Sequence, residues 1–136
     1  SSTGQQKMVT LELRHNFRFA GQAELSVVVL LNLLRNALKA VQRAGKGRVR
    51  IVVDGAHEPP RLLFIDTGCG IPAPQMALIF RRFYSYPPHN GAGIGLALCQ
   101  EIMEAWNATM LPERTEPAPY SNTGDVLADH YGVSNR

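Results

Sequence analysis

Apolar and polar residues alternate from Val9 to Arg14 (V-T-L-E-L-R), the two-residue period of a half-buried strand. Phe17 and Phe19 continue the alternation and Gly21 ends it. From about Ala23 to Ala44 the period changes. Val27, Leu30, Leu31, Leu34, Leu38 and Val41 recur at three- and four-residue steps, one apolar stripe of a 3.6-residue helix. Gly45 and Gly47 terminate it. Two β-like runs follow, Val49–Val53 and Leu62–Asp66, and the link D-G-A-H-E-P-P between them predicts a hairpin of adjacent strands. Beyond Asp66 the pattern predicts a glycine-rich turn (T-G-C-G-I-P) and a short helix near Pro74–Phe80. Residues 84–93, rich in Gly, Pro, His and Asn, read as a mobile loop. A second long helix starts near Gly93–Gly95 and runs to about Trp106. Thr109–Leu111 reads as a short strand; the segment after it holds three prolines and no periodicity and is expected to be loop or disorder. No internal repeat is visible. This order predicts an α+β fold, a two-layer sandwich in which a mixed sheet of about five strands carries about three helices on one face.

Composition narrows the class without naming a function. A chain of 136 residues, 45% hydrophobic and 18% charged, is long enough for one domain with a real core, and global disorder is excluded. Two cysteines, Cys69 and Cys99, cannot staple a disulfide scaffold and lack paired zinc spacing. The strongest apolar run, Val27 to Leu34, is broken by Asn32 and is too short to span a bilayer. No secretory pattern opens the chain, so a reducing, cytoplasmic setting without direct membrane contact is expected. The net charge of +3 comes from scattered arginines, which implies no nucleic-acid partner.

Three segments carry candidate chemistry. Asn32, Asn36, Lys39 and Arg43 lie at steps of four, three and four along the long helix, within roughly a 60° sector at 100° per residue. Such a stripe also describes a solvated face. Two asparagines among leucines, however, need partners for their amides, amide oxygens suit a hard cation such as Mg²⁺, and Lys39 can meet phosphate. The second segment, Asp66-Thr67-Gly68-Cys69-Gly70-Ile71-Pro72, directly follows an apolar strand. A carboxylate there can accept hydrogen bonds from an exocyclic amine, and Gly68 and Gly70 permit φ > 0 and close approach to a flat ligand; an ordinary tight turn has the same look. In the third, Gly91-Ala92-Gly93-Ile94-Gly95-Leu96, alternate glycines open an apolar helix. Free N–H groups and the helix dipole make such a start a phosphate cradle, although a flexible hinge would read alike. The spacing is neither the dinucleotide fingerprint nor a classical P-loop.

In this order, the three segments resemble the ATP-binding catalytic domain of sensor histidine kinases, within the gyrase, heat-shock chaperone, histidine kinase and mismatch-repair ATPase superfamily. The resemblance covers about residues 9–111, leaving 1–8 as a disordered start and 112–136 as an atypical tail. Leu30 to Ala40 matches the N box, with Asn36 at the magnesium-ligand position. Asp66 to Ile71 matches the first glycine box, whose aspartate reads the adenine amine, and Ile79-Phe80-Arg81-Arg82-Phe83-Tyr84 looks like the F box. Gly91 to Leu96 looks like the second glycine box. The resemblance implies ATP and Mg²⁺ as ligands and transfer of the γ-phosphoryl group to a histidine on a separate dimerisation and phosphoacceptor helical domain, with a response-regulator receiver domain downstream. It places Asn32, Asn36 and Lys39 in catalysis. Nucleotide binding falls to Asn36, Lys39, Asp66, Gly68, Gly70, Ile71, Phe83, Gly91, Gly93, Gly95 and Leu96, and the metal to Asn36. Gyrase-like and chaperone ATPases carry a glutamate, the general base for water, where this chain has Asn32; an asparagine there fits phosphotransfer to protein rather than hydrolysis.

The chain departs from the family pattern in several places. Only seven residues, Tyr84–Asn90, separate Phe83 from Gly91, implying a short ATP lid; when it closes His89 or Arg82 can approach the γ-phosphate, although each reads equally as an exposed loop residue. Arg81-Arg82 replaces the commoner Glu-Pro of the F box, and Asn107-Ala108 replaces a Gly-Gly turn. No second C-terminal strand is recognisable in residues 124–136. His57-Glu58 imitates the dipeptide of a phosphoacceptor helix, but Pro59-Pro60 makes it a surface turn, so an acceptor histidine has to lie elsewhere. These departures leave open a non-catalytic nucleotide-binding or protein-docking module of the same fold and, more weakly, an anti-sigma-type serine kinase.

Overall fold

The computed structural model describes residues 8–110, apart from 69, 72, 77 and 85–94, together with 134 and 135. Strand β1 (Val9–His15) leads into helix α1 (Ala23–Ala44), then β2 (Val49–Asp54) and β3 (Arg61–Asp66). A single helical turn α2 (Ala73–Met76), helix α3 (Gly95–Ala105), and two short strands β4 (Ala108–Thr109) and β5 (Ser134–Asn135) complete the order.

β1 lies parallel to β2, with Val9 opposite Val49 and Leu13 opposite Val53. A parallel neighbour requires a crossover, and α1 is that crossover. β2 and β3 form the expected antiparallel hairpin, Ile51 opposite Phe64 and Val49 opposite Asp66. His57 is exposed on the hairpin turn, its N–H donating to Asp54 Oδ1 at 3.3 Å. The described strands form two sheets, β1-β2-β3 and β4-β5.

The core sits between the sheet and the two long helices. Val29 and Leu33 of α1, Phe64 of β3, and Cys99, Ile102 and Met103 of α3 form one buried cluster with Ala108 and Met110. Ala37 and Val41 of α1 pack on Val49 in a second. Burial pushes the Cys99 thiol up to about 11, because the thiolate has no water to charge against. On the opposite face of the sheet, the cross-strand partners Val52 and Leu63 are buried, flanked by two ion pairs. Arg50 Nε donates to Glu12 Oε1 at 2.8 Å and its Nη2 to Glu12 Oε2 at 3.0 Å, holding the Glu12 carboxyl below the usual range. Burial opposes the charge of Asp54, but the Arg61 guanidinium, the His57 N–H and the Arg14 charge outweigh it and lower its pKa.

Three sequence expectations are corrected here, and one departure from the family pattern is accounted for. The alternation of Phe17 and Phe19 does not extend β1, which ends at His15 after an irregularity between Leu13 and His15. Phe19 instead packs on Trp106, ring centroids 5.7 Å apart, so aromatic packing overrides the alternation. The helix expected to reach Phe80 stops at Met76 and passes into tighter turns: Leu78 N–H donates to Gln75 O, and Arg81 N–H to Leu78 O. A second C-terminal strand does exist, Ser134–Asn135, antiparallel to β4. Finally, Asn107 substitutes for glycine without loss of the turn: it takes φ 55° after α3, a left-handed conformation that asparagine tolerates better than other side chains. Of the expected disordered start, residues 1–8, residues 1–7 lie outside the described residues, while Met8 packs against the second core cluster; most of the tail also lies outside them.

Candidate functional site

α1 is the platform of the site. Its buried face is Val29, Leu33, Ala37, Ala40 and Val41, which corrects the predicted stripe: Val27, Leu30 and Leu31 are exposed and only Val41 of that set is fully buried, because contact with the sheet and α3 selects the neighbouring face. This leaves Asn32, Asn36 and Lys39 half-buried along an adjacent face, with Arg43 exposed at its end. The helix starts without a side-chain cap and ends at Gly45 in the left-handed conformation, φ 76°. Asn32 Nδ2 donates to the Val28 carbonyl one turn back, at 2.8 Å.

The glycine-rich turn after β3 is pressed onto this platform. Asp66, at the strand end, is completely buried, and its Oδ1 accepts the Gly68 N–H at 3.0 Å. A Cβ on Gly68 would stand 2.4 Å from the Ala40 carbonyl carbon, 2.5 Å from its oxygen and 2.7 Å from Val41 N. Gly68 is therefore held in close approach to the α1 backbone. Gly70 supplies the positive φ, 70°. Thr67, which the sequence reading passed over, anchors the other side of the turn: its Oγ1 accepts the Arg48 N–H at 2.9 Å and its own N–H donates to the Arg48 carbonyl. A hydroxyl residue next to a strand-end carboxylate was the available signal.

The third wall comes from the turns after α2 and from the start of α3. Ile71 and Ile79 are buried together, with Met76, Phe80, Tyr84 and Leu96 packed around them. Gly95 opens α3 directly against α1, since a Cβ there would lie 2.6 Å from Asn32 Oδ1. Asn32, Gly95 and Leu96 are thus brought together, as are Asp66, Gly68 and the α1 backbone at Ala40. Phe83 does not join them: it is 78% exposed and takes φ 66°, while Phe80 and Tyr84 do the packing. Arg82 forms an ion pair with Glu101 of α3. Gly91, Gly93 and His89 lie outside the described residues.

A buried carboxylate in a glycine turn, laid on a helix that also carries amides and a lysine, can accept hydrogen bonds from a donor such as an amine. Residues 21–124 match the family described as histidine kinase-, DNA gyrase B- and HSP90-like ATPase. The chain belongs to this family. As one of its domains, the protein is an ATP-binding unit. The ATPase-family domain is 31% identical over 105 residues to the CAI-1 autoinducer sensor kinase/phosphatase CqsS of Vibrio cholerae, covering 77% of this chain and 15% of that protein. It is 35% identical over 106 residues to the sensor protein CreC of Escherichia coli, covering 75% and 22%. The chain therefore spans less than a quarter of the length of these two relatives. Its fold is shared with the mycobacterial sensor histidine kinase MprB, at TM-score 0.75 and 24% identity, covering 98% of this chain and 86% of that one. No helix among the described residues is long and apolar enough to cross a membrane.

Proposed function

We propose that this domain, residues 9–111 with the tail that supplies β5, binds ATP with Mg²⁺ and supports transfer of the γ-phosphoryl group to a histidine of a separate helical phosphoacceptor domain in a two-component sensor kinase. The observation that carries the reading is the completely buried Asp66 carboxylate, held by the Gly68 N–H in a turn laid on α1. A buried carboxylate is costly unless it is hydrogen-bonded, and the adenine amine is a donor of the right kind. Buried Ile71 lies next along the turn and offers apolar contact to the ring. The amide oxygen of Asn36 suits a hard cation. Among the described residues no group of three His, Cys, Asp or Glu side chains forms a metal cluster, so the remaining ligands of Mg²⁺ would be phosphate oxygens and water. The cation supplies charge neutralisation of the phosphates.

Lys39 places an ammonium beside the phosphates, and the N–H groups at the start of α3, Gly95 among them, face the same charge. The γ-phosphorus–oxygen bond to ADP breaks as a nitrogen–phosphorus bond to histidine forms, and the displaced ring proton passes to solvent. The chain's contribution is positioning and electrostatics. Asn32 occupies the place at which a hydrolytic relative needs a general base; a carboxamide takes up no proton, which favours transfer over hydrolysis. The acceptor domain, a downstream receiver domain and a cytoplasmic location complete the proposal.

The test has two stages. Titration calorimetry is expected to detect ATP·Mg²⁺ binding that Asp66→Asn abolishes, since the amide turns an NH₂ group or loses charge toward the adenine amine. An acceptor helical domain supplied with γ-labelled ATP is then expected to acquire acid-labile label. Tight ATP binding with no label on the acceptor would instead leave a nucleotide-binding module without transfer.

A further inference from the structure

α1 and α3 meet at a point where one of them has no side chain. Gly95 is the first residue of α3, and the nearest atom to its missing Cβ is Asn32 Oδ1, at 2.6 Å; Asn32 Cγ follows at 3.5 Å. An added methyl group facing the tip of a long side chain is ordinarily accommodated by rotation of that side chain. Here rotation is opposed, because Asn32 Nδ2 donates to the Val28 carbonyl at 2.8 Å. A carbonyl only accepts, so the atom turned toward it must be the NH₂ group, and the amide oxygen is thereby directed at Gly95. Val29 and Leu33, on either side of Asn32, are buried against Cys99, Ile102 and Met103 of α3, so the two helices are already in register at this level. Asparagine is a poor residue for a helix interior, and among leucines its amide needs a reason to be there.

We propose that Asn32 is a positioning residue: its carboxamide, pinned by the Val28 carbonyl, sets where the first turn of α3 stands by lying against Gly95. This rests on the reading that the start of α3 receives the phosphates. It differs from a direct role of Asn32 at the γ-phosphate or the metal, because a residue that acts through α3 affects every nucleotide that carries phosphates, with or without Mg²⁺.

Four proteins test it: the wild type, Asn32→Ala, Gly95→Ala and the double variant. Each is titrated with ADP and with ATP, with and without Mg²⁺, and melted without nucleotide. A displaced amide that loses a half-buried hydrogen bond weakens binding about threefold to tenfold. Gly95→Ala is expected near the upper end and Asn32→Ala near the lower, equally for ADP and ATP. In the Asn32→Ala background the added methyl meets open space, so Gly95→Ala is expected to cost less than about twofold there, a coupling between neighbours. Two results overturn the proposal: a full loss from Gly95→Ala in both backgrounds, or an Asn32→Ala loss confined to ATP with Mg²⁺.

The melts separate this proposal from the functional reading. If the wild type binds neither nucleotide, the functional reading fails, while recovery by Asn32→Ala of the unfolding midpoint lowered in Gly95→Ala still supports the contact. If Gly95→Ala does not fold, a cooperative melt in the double variant supports the proposal, and a double variant that also fails to fold overturns it.

Discussion

Gly68→Ala is the sharpest test of how the adenine end of the site is built. The added Cβ meets three backbone atoms of α1, the Ala40 carbonyl carbon at 2.4 Å, its oxygen at 2.5 Å and Val41 N at 2.7 Å. None can rotate away, because Ala40 and Val41 lie inside a 22-residue helix whose buried face is fully packed. The turn must therefore lift off α1. Overpacking of this kind costs about 1–3 kcal/mol, and a backbone clash belongs at the upper end. At about 4 °C per kcal/mol for a domain of this size, the unfolding midpoint is expected to fall by about 12 °C. Lifting the turn also strains the 3.0 Å bond from Gly68 N–H to Asp66 Oδ1, which orients the carboxylate, so ATP affinity is expected to drop by at least about tenfold, the equivalent of one such charge-assisted bond. Gly45→Ala is the control. Nothing lies within 4 Å of a Cβ there, but φ is +76°, so it is expected to cost about 1 kcal/mol of left-handed strain and leave ATP binding unchanged. A Gly68→Ala protein that melts with the wild type and binds ATP equally would refute the contact between turn and helix.

Cys99→Ala is expected to flatten the alkaline limb of the stability curve. The thiol is held near 11 in the folded state against an ordinary value of 9.0; its contribution is fully present below pH 9 and is lost as pH rises toward 11, about 3 kcal/mol in all. Urea unfolding of wild type and variant at pH 8 and pH 10.5 measures the difference. Asn107→Gly, at φ 55°, is expected to be neutral or to raise stability by up to about 1 kcal/mol, whereas Asn107→Val is expected to lower it by about 1–2 kcal/mol; thermal melts read both.

The extent of the long helix was legible, Ala23–Ala44, because helical spacing of apolar residues is sustained and a glycine follows directly; its buried face was not, since apolar residues lie on several sides of it and the packing takes Val29, Leu33 and Ala37 while leaving Val27, Leu30 and Leu31 exposed. The hairpin was legible because turn residues separate two short apolar runs of strand length, Val49–Val53 and Leu62–Asp66. Apart from the early end of α2, what escaped the sequence shares one physical cause, contact between residues far apart in the chain. Phe19 leaves its strand pattern for Trp106, 87 positions later by their numbers. Ser134–Asn135 becomes a strand only because Ala108–Thr109 offers it an edge, not from any period of its own. Gly68 was read for its conformational freedom and its approach to a ligand, yet a side chain there would meet the Ala40 backbone of α1. The chemistry-bearing types, Asp66, Asn32 and Asn36, were legible as candidates; that Asn32 turns its oxygen to Gly95 was not, since no local pattern records it.

These two missing side chains divide the site along α1. Gly68 meets the helix at Ala40 and Gly95 meets it at Asn32, eight residues apart by number and so about 12 Å along the axis at 1.5 Å per residue. Asn36 stands midway and Lys39 beside Ala40. On the proposed reading an extended nucleotide lies along this helix, its adenine at the Asp66 end and its phosphates toward Asn32. The two glycines then have separable effects. Gly68→Ala acts on the base and is expected to weaken adenosine, AMP and ADP by one common factor. Gly95→Ala acts on the phosphate end and is expected to leave adenosine untouched while weakening ADP about tenfold, the scale of one lost charge-assisted hydrogen bond. Competition of all three ligands against a fluorescent ATP analogue measures both series. A Gly95→Ala protein that loses adenosine as strongly as ADP would mean that the nucleotide does not run along α1 in this direction.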